Sequence, residues 1–445
     1  MLKRFNHIQD SILYSIAEAL NHASGILILP VLLAYISLEE YGKITFLVLF
    51  LTLFRYLIGF AVKSSYLRLL YKNSEKENRK LTTVLISNIS VAFLLFFVLL
   101  YFLLSTPNSL FEGIGNEYLL LCLITAYFYS IFEIGQSILR YKEKAIQYVL
   151  VNLSKVITEF LTLLTLFQFY SDGITIKFTA TIISLILCIL ILVKNTYYKY
   201  FGVIYDFHLS KEYLKFSFPL ILNGLLGWLM VSFDQYLIKS YFGFKELGIL
   251  GVALQIIAIY KYSFEGILKG VNNFIFKKAD IIKKYSKDLF TFFINLFVIG
   301  AVFILLLLEP LVKLIGTTDY QDSARVITYL IPGRLFMLLN TVLVFLSISQ
   351  MKTKRILYST IIASISLISL SWFLIPRIGL LAIGVSSLSA AVLRFIILNR
   401  DLEGEMSIYN KKQLIPFIIF LLVFIAVFNN RIHGALNGII LLLCS

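Results

Sequence analysis

Long apolar runs alternate with short polar breaks along most of the chain. Most runs are close to the roughly 20 residues with which an α-helix crosses the hydrocarbon core of a bilayer. They predict twelve core transmembrane helices, at residues 11–36, 44–63, 82–104, 117–139, 147–169, 176–193, 216–238, 248–269, 289–315, 326–349, 356–375 and 379–399. The first run contains Glu18 and His22 and many runs follow it, which favours an uncleaved helix over a signal peptide. We therefore predict an all-α polytopic membrane protein.

Composition supports a membrane protein and excludes most soluble classes. Hydrophobic residues make up 59% of the 445 residues, and charged residues make up 15%, against about 25% in ordinary soluble domains. The mean hydropathy is +0.87. A soluble enzyme, a disordered chain and a disulfide scaffold are excluded on these values. The three cysteines, Cys122, Cys188 and Cys444, are far apart and form no metal-binding or disulfide motif, so no metal and no cofactor is predicted.

The Lys and Arg residues behind the formal net charge of +15 lie mostly in loops on one side of the predicted membrane. With the N terminus on the cytoplasmic side, 25 of the 40 Lys and Arg residues fall on that side and 7 on the other. Cytoplasmic loops of membrane proteins carry such an excess, so the basic charge requires no nucleic acid. The longest loops, 194–215 and 270–288, lie on the cytoplasmic side and are short. Because no loop could hold a catalytic domain, we predict that the protein is not an enzyme.

An internal repeat relates the second and eighth predicted helices. At an offset of 206 residues, the matching pairs are Glu40 and Glu246, Gly42 and Gly248, Arg55 and Lys261, Tyr56 and Tyr262, and Lys63 and Lys269. An even number of helices separates the two copies, so they have the same orientation. We predict two parallel six-helix bundles, at 1–205 and 206–400. Residues 401–445 would add a cytoplasmic loop and one or two apolar segments, 414–428 and 434–444. Parallel repeats are a transporter architecture, with the substrate between the halves.

Four cations lie inside predicted spans: Arg55, Lys155, Lys261 and Arg334. A charge at mid-bilayer costs about 2.5–3.5 kcal/mol on insertion scales. Together the four cations favour a water-filled cavity of positive potential that binds an anion, and the arginine fork suits phosphate. The alternative is internal neutralisation. Lys155 lies four residues before Glu159 on one helix face, so the two can pair with each other.

Three acids inside predicted spans, Glu18, Glu133 and Asp234, have no cation within one helical turn in the sequence. A carboxyl group in a low-dielectric cavity can exchange protons near neutral pH. These acids are therefore candidates for coupling transport to a proton or sodium gradient. The alternative is that each pairs with a cation on another helix.

Three stretches resemble the polysaccharide flippases. They are SLEEYGKITFLVLF after the first span, LKFSFPLILNGLLGWLMVSFDQYLIKSYFGFKELGILGVALQI at 214–256, and RIGLLAIGVSSLSAAVLRFII at 377–397. The chain resembles a Wzx-type O-antigen or repeat-unit flippase of the MOP superfamily from about residue 8 to 400. One departure is Gln235, because the family often has Arg or Lys after the Asp. A role that needs a charge at this position is therefore not carried over from the family.

The resemblance implies a substrate and a location. The substrate would be an oligosaccharide repeat unit on undecaprenyl pyrophosphate, moved by alternating access from the cytoplasmic to the outer leaflet of the bacterial inner membrane. Expected partners are this lipid-linked oligosaccharide, membrane lipids, a proton or sodium ion, and a polysaccharide polymerase. The alternatives are a multidrug exporter of the same superfamily, a membrane polymerase acting on lipid-linked glycans, and a flippase for a peptidoglycan precursor.

Overall fold

A computed structural model describes residues 25, 27–104, 112–195, 205–277, 279–308, 310, 322–349 and 353–403. Within these ranges the secondary structure is helical, with no strand. The helices are α1 (27–35), α2 (Leu38–Gly59), α3 (Val62–Lys72), α4 (Glu75–Leu104), α5 (Asn116–Tyr141), α6 (Ala145–Leu166), α7 (Gly173–Asn195), α8 (Phe207–Lys277), α9 (Ala279–Leu306), α10 (Asp322–Ser349), α11 (Thr353–Ile378) and α12 (Leu381–Glu403). Glu18 and the apolar segments at 414–428 and 434–444 lie outside the described residues.

Among the described residues, ten helices are long and apolar enough to cross a membrane. One of the ten, Phe207–Phe264, covers the predicted span 216–238 and most of the predicted span 248–269. They lie on either side of Gly243, whose φ of 85° and ψ of −174° interrupt α8. Glycine accepts a positive φ without the steric cost that a Cβ atom adds. The all-α polytopic membrane fold predicted from the sequence is confirmed.

The helix starts reproduce the predicted parallel repeat. Ser37 caps α2, and its hydroxyl accepts from the Glu40 amide in a capping box. Gly243, 206 residues later, is the point at which α8 breaks and its second part starts. The first residues of α5 and α10, Asn116 and Asp322, are separated by the same 206 residues. The repeat in the matching residues therefore extends to the order of the helices, whose other starts keep the offset to within two residues.

The predicted span 44–63 is wrong at its second end. Helix α2 ends at Gly59, and α3 starts at Val62. Phe60 and Ala61, the residues between, have φ values of 49° and 52°, in the left-handed region that L-residues adopt at a cost. Neither residue is a glycine, so tertiary contacts must stabilise the left-handed conformation of these two residues.

Contacts between helices divide the chain into two compact units, Met1–Gln235 and Tyr236–Ser445. The first part of α8 packs within the first unit, where the Trp228 indole N–H donates to the Leu49 carbonyl at 2.8 Å. Within the second unit, α10 and α12 pack closely. A Cβ atom on Gly384 would lie 2.6 Å from the Tyr329 carbonyl oxygen, so this approach requires glycine.

Candidate functional site

Arg55 of α2 forms an ion pair with Glu133 of α5. The two residues are 78 positions apart, and neither has an opposite charge within one helical turn of its own helix. Their side chains are 34% and 16% exposed, so the pair is half-buried. The Arg55 guanidinium also lies 4.5 Å from the centre of the Tyr129 ring. Tyr129 lies one turn before Glu133 on α5. Arg55 is thus held by a carboxylate and an aromatic face of the same helix.

Lys155 of α6 reaches the same tyrosine. Its ammonium nitrogen lies 5.0 Å from the centre of the Tyr129 ring, a distance at which cation–π attraction acts. The side chain is 4% exposed, and its nitrogen lies 3.8 Å from Glu159. The structure therefore brings two of the four predicted cations, Arg55 and Lys155, to one aromatic ring.

Glu159 contacts a further lysine on α7. The Lys177 ammonium donates to Glu159 Oε1 at 2.5 Å, and the Thr181 hydroxyl donates to the same oxygen at 2.8 Å. Lys177 is the second residue of the predicted span 176–193, at the edge of its apolar run. Its contact with Glu159, 18 residues away, gives no signal in sequence spacing.

These side chains form one cluster, defined here as the α5–α6 ionic cluster: Arg55, Tyr129, Glu133, Lys155, Glu159 and Lys177. It contains three cations and two carboxylates, so its formal charge is one positive. Charges in a low-dielectric interior interact several times more strongly than in water. The cluster therefore favours an anion as a further partner.

Two further polar pairs continue the contact between α5 and α6. The Gln136 amide donates to Asn152 Oδ1 at 2.6 Å, and the Arg140 guanidinium donates to the Tyr148 hydroxyl at 2.9 Å. From the first pair to the second, the residue number on α5 rises by four and the residue number on α6 falls by four, as antiparallel helices require. These pairs could not be predicted from the sequence, because spacing along the chain does not show which polar side chains of α5 and α6 meet.

The second unit holds the other two predicted cations. The Lys261 ammonium lies 5.0 Å from the centre of the Tyr262 ring, and Arg334 Nη1 lies 3.5 Å from the Met337 sulfur. Both side chains are partly buried. Asp234, a predicted coupling acid, belongs to the first unit and is buried beside Gln235.

The repeated helices of the second unit carry apolar residues where the cluster would recur. At the 206-residue offset of the repeat, Lys155 and Glu159 correspond to Ile361 and Ile365 of α11. Both of these apolar side chains are exposed. The charges on α6 are therefore a feature of the first unit and not of the repeated scaffold.

Among the described residues, no group of three His, Cys, Asp or Glu side chains could hold a metal ion.

Known structures share this fold over almost the whole chain. A structure of the lipid II flippase MurJ in an inward closed conformation is 17% identical, with a TM-score of 0.72 over 96% of this chain and 99% of that one. A multidrug resistance MATE family transporter of the MOP superfamily, in an inward-facing conformation, is 15% identical, with a TM-score of 0.66 over 90% and 98%. A MOP superfamily transporter from Pyrococcus furiosus is 14% identical, with a TM-score of 0.54 over 89% and 96%.

Sequence comparison assigns the family. No curated protein matches the chain significantly. A family model described as polysaccharide biosynthesis protein matches residues 8–272, more than half of the chain. That match includes every residue of the α5–α6 ionic cluster. The chain therefore belongs to the polysaccharide biosynthesis protein family and has the fold of the MOP superfamily transporters.

Proposed function

We propose that this protein is a flippase that moves undecaprenyl-pyrophosphate-linked oligosaccharide repeat units from the inner to the outer leaflet of a bacterial cytoplasmic membrane. The products would supply O-antigen or capsule assembly, with a polysaccharide polymerase as the next partner. The observation that carries the proposal is the pair of cations, Arg55 and Lys155, on the Tyr129 ring. Membership of a polysaccharide biosynthesis family and the MurJ-like fold support it.

A pyrophosphate headgroup and this pair of cations are chemically complementary. The Arg55 guanidinium contacts Glu133 through one nitrogen, and its Nε has no hydrogen-bond partner among the described residues. Its remaining N–H groups can donate to phosphate oxygens, and the lysine adds a point charge. At an effective dielectric constant of 20, a unit charge 4 Å from a phosphate charge contributes about 4 kcal/mol. Lys261 and Arg334 are proposed as the anion-binding cations of the second unit.

The transport cycle is proposed to be alternating access, with the repeated halves at 1–205 and 206–400 rocking against each other. Glu18, Glu133 and Asp234 are the proposed coupling acids, for a proton or a sodium ion. The N terminus is proposed to lie in the cytoplasm, in agreement with the distribution of Lys and Arg.

Binding of farnesyl pyrophosphate to the purified full-length protein tests the headgroup site. We expect binding that weakens about 100-fold in Arg55→Ala and at least tenfold in Lys155→Ala, and that survives in part in Arg55→Lys. The hundredfold value corresponds to one lost charge-assisted contact of about 3 kcal/mol. Farnesol, which lacks the phosphates, should bind weakly to all variants.

Two results would contradict the headgroup site. The first is equal affinity for farnesyl pyrophosphate in wild type, Arg55→Ala and Lys155→Ala. The second is tight binding of a lipophilic organic cation such as rhodamine 6G in place of the anion, which would favour a multidrug exporter. In cells, loss of surface polysaccharide in Arg55→Ala and in Arg334→Ala, at normal protein level, is the corresponding expectation.

A further inference from the structure

The two lysines of the α5–α6 ionic cluster approach Glu159 unequally. Lys177 lies at hydrogen-bond distance, 2.5 Å, whereas the Lys155 nitrogen lies 3.8 Å away. Glu159 is 3% exposed, so water cannot share its charge with the two lysines. The Thr181 hydroxyl donates to the oxygen that Lys177 contacts. Glu159 is therefore bound chiefly from α7, although Lys155 is its neighbour on α6.

The charge of Lys155 is consequently directed elsewhere. Its closest aromatic contact is the Tyr129 ring, which also carries Arg55. An ammonium group that is tightly paired with a buried carboxylate loses most of its attraction for a second anion, because the carboxylate repels that anion. Lys155 can attract an anion only as long as Glu159 is engaged by another cation.

We propose that Lys177 is a positioning residue, which binds Glu159 and so keeps the Lys155 charge available to the phosphate groups of the substrate. This inference rests on the proposed function, since it names the residue that tunes the same anion site. Lys177 does not touch the substrate in this scheme. It acts through Glu159, and Glu159 acts on Lys155.

A purely structural role would give a different pattern of substitutions. If Lys177 and Glu159 only join α6 to α7, either single substitution leaves a buried partner unpaired and weakens binding only as far as it lowers the melting temperature. If Lys177 restrains Glu159, the two single substitutions shift the affinity in opposite directions, because Lys177→Met frees the carboxylate and Glu159→Gln removes it. The direction of the Glu159→Gln effect on affinity therefore separates the two roles.

The experiment measures the affinity of the purified full-length protein for farnesyl pyrophosphate in Lys177→Met, Glu159→Gln and the double variant. We expect Lys177→Met to bind about tenfold more weakly, Glu159→Gln to bind more tightly than wild type, and the double variant to return to within about threefold of wild type. Lys177→Arg should keep the affinity. Melting temperatures measured in parallel report any loss of folding.

A matched control is the ion pair of Lys43 and Glu39 on α2, with nitrogen and oxygen 3.1 Å apart and both side chains more exposed. Lys43→Met, Glu39→Gln and their double variant should leave the affinity unchanged. The inference is overturned if Lys177→Met binds as wild type, or if the double variant binds as weakly as Lys177→Met. Equal binding by wild type and Arg55→Ala would instead overturn the proposed function itself.

Discussion

Tyr213→Phe tests how the left-handed break between α2 and α3 is held. The Tyr213 side chain is fully buried. Its hydroxyl donates to the Phe60 carbonyl at 3.0 Å and lies 2.7 Å from the Ser65 hydroxyl. Ser65 keeps an acceptor without Tyr213, because its hydroxyl is 2.9 Å from the Ala61 carbonyl. The substitution thus removes one hydrogen bond net and takes the Tyr213 donor away from the Phe60 carbonyl, a loss of about 1–3 kcal/mol.

The energy of the break itself is of the same size. Phe60 and Ala61 each cost about 1–2 kcal/mol in the left-handed region, and the Tyr213 hydroxyl offsets a large part of that cost. If this reasoning holds, adding Ala61→Gly to Tyr213→Phe should recover about 1 kcal/mol, because glycine adopts the left-handed conformation without that penalty.

Thermal unfolding in detergent, followed by the loss of monodisperse protein on size-exclusion chromatography, measures these effects. Tyr213→Phe should melt several degrees below wild type, and Tyr213→Phe with Ala61→Gly should lie between the two. Tyr358→Phe is the control, because that side chain is 63% exposed. The explanation is refuted if Tyr213→Phe and Tyr358→Phe melt together, or if Ala61→Gly lowers the melting temperature further.

Three further predictions concern packing, buried polarity and a helix cap. Gly384→Ala should cost about 1–3 kcal/mol in the thermal assay, because its Cβ would lie 2.6 Å from the Tyr329 carbonyl oxygen. A Cβ on Gly227 would have nothing within 4 Å, so Gly227→Ala should be neutral or stabilising. Gln136→Leu should cost about 1–3 kcal/mol by leaving a buried Asn152 oxygen without its donor, and Gln136→Leu with Asn152→Leu should recover most of the loss. Asp206 accepts a hydrogen bond from the Leu209 amide, which holds the pKa of its carboxyl below the ordinary 3.8. Its contribution to stability is therefore present above pH 3.8 and lost as pH falls through the lower pKa. Asp206→Asn should reduce the loss of melting temperature that wild type shows as pH falls below 3.8.

The match of Glu40 with Glu246 could be predicted from the sequence because local chemistry determines the first turn of a helix. Glu40 marks the first turn of α2, and Glu246 marks the equivalent turn in α8. The break at Phe60 and Ala61 could not be predicted in the same way. Neither residue favours a left-handed conformation, and its partner Tyr213 lies 153 positions from Phe60. A tertiary hydrogen bond overrides the local preference for a continuous helix.

The candidate site shows the same division. The pairing of Lys155 with Glu159 could be predicted from their spacing on one helix, and the structure contains it. The pairing of Arg55 with Glu133 could not, because it depends on which faces of α2 and α5 meet. The pairing of Lys177 with Glu159 could not be predicted for another reason. The position of Lys177 at the edge of an apolar run is typical of a lysine that reaches into the lipid headgroups.

The distribution of lipid-linked intermediates in a strain lacking this gene tests the central claim most directly. The account predicts that complete undecaprenyl-linked repeat units accumulate, that surface polysaccharide disappears, and that the accumulated units resist reagents added outside spheroplasts. Arg55→Ala should reproduce this state, and Arg55→Lys should relieve it in part. Accumulated units that are accessible from outside would contradict the account, because the block would then follow flipping. Unaltered glycans with increased drug sensitivity would contradict it as well.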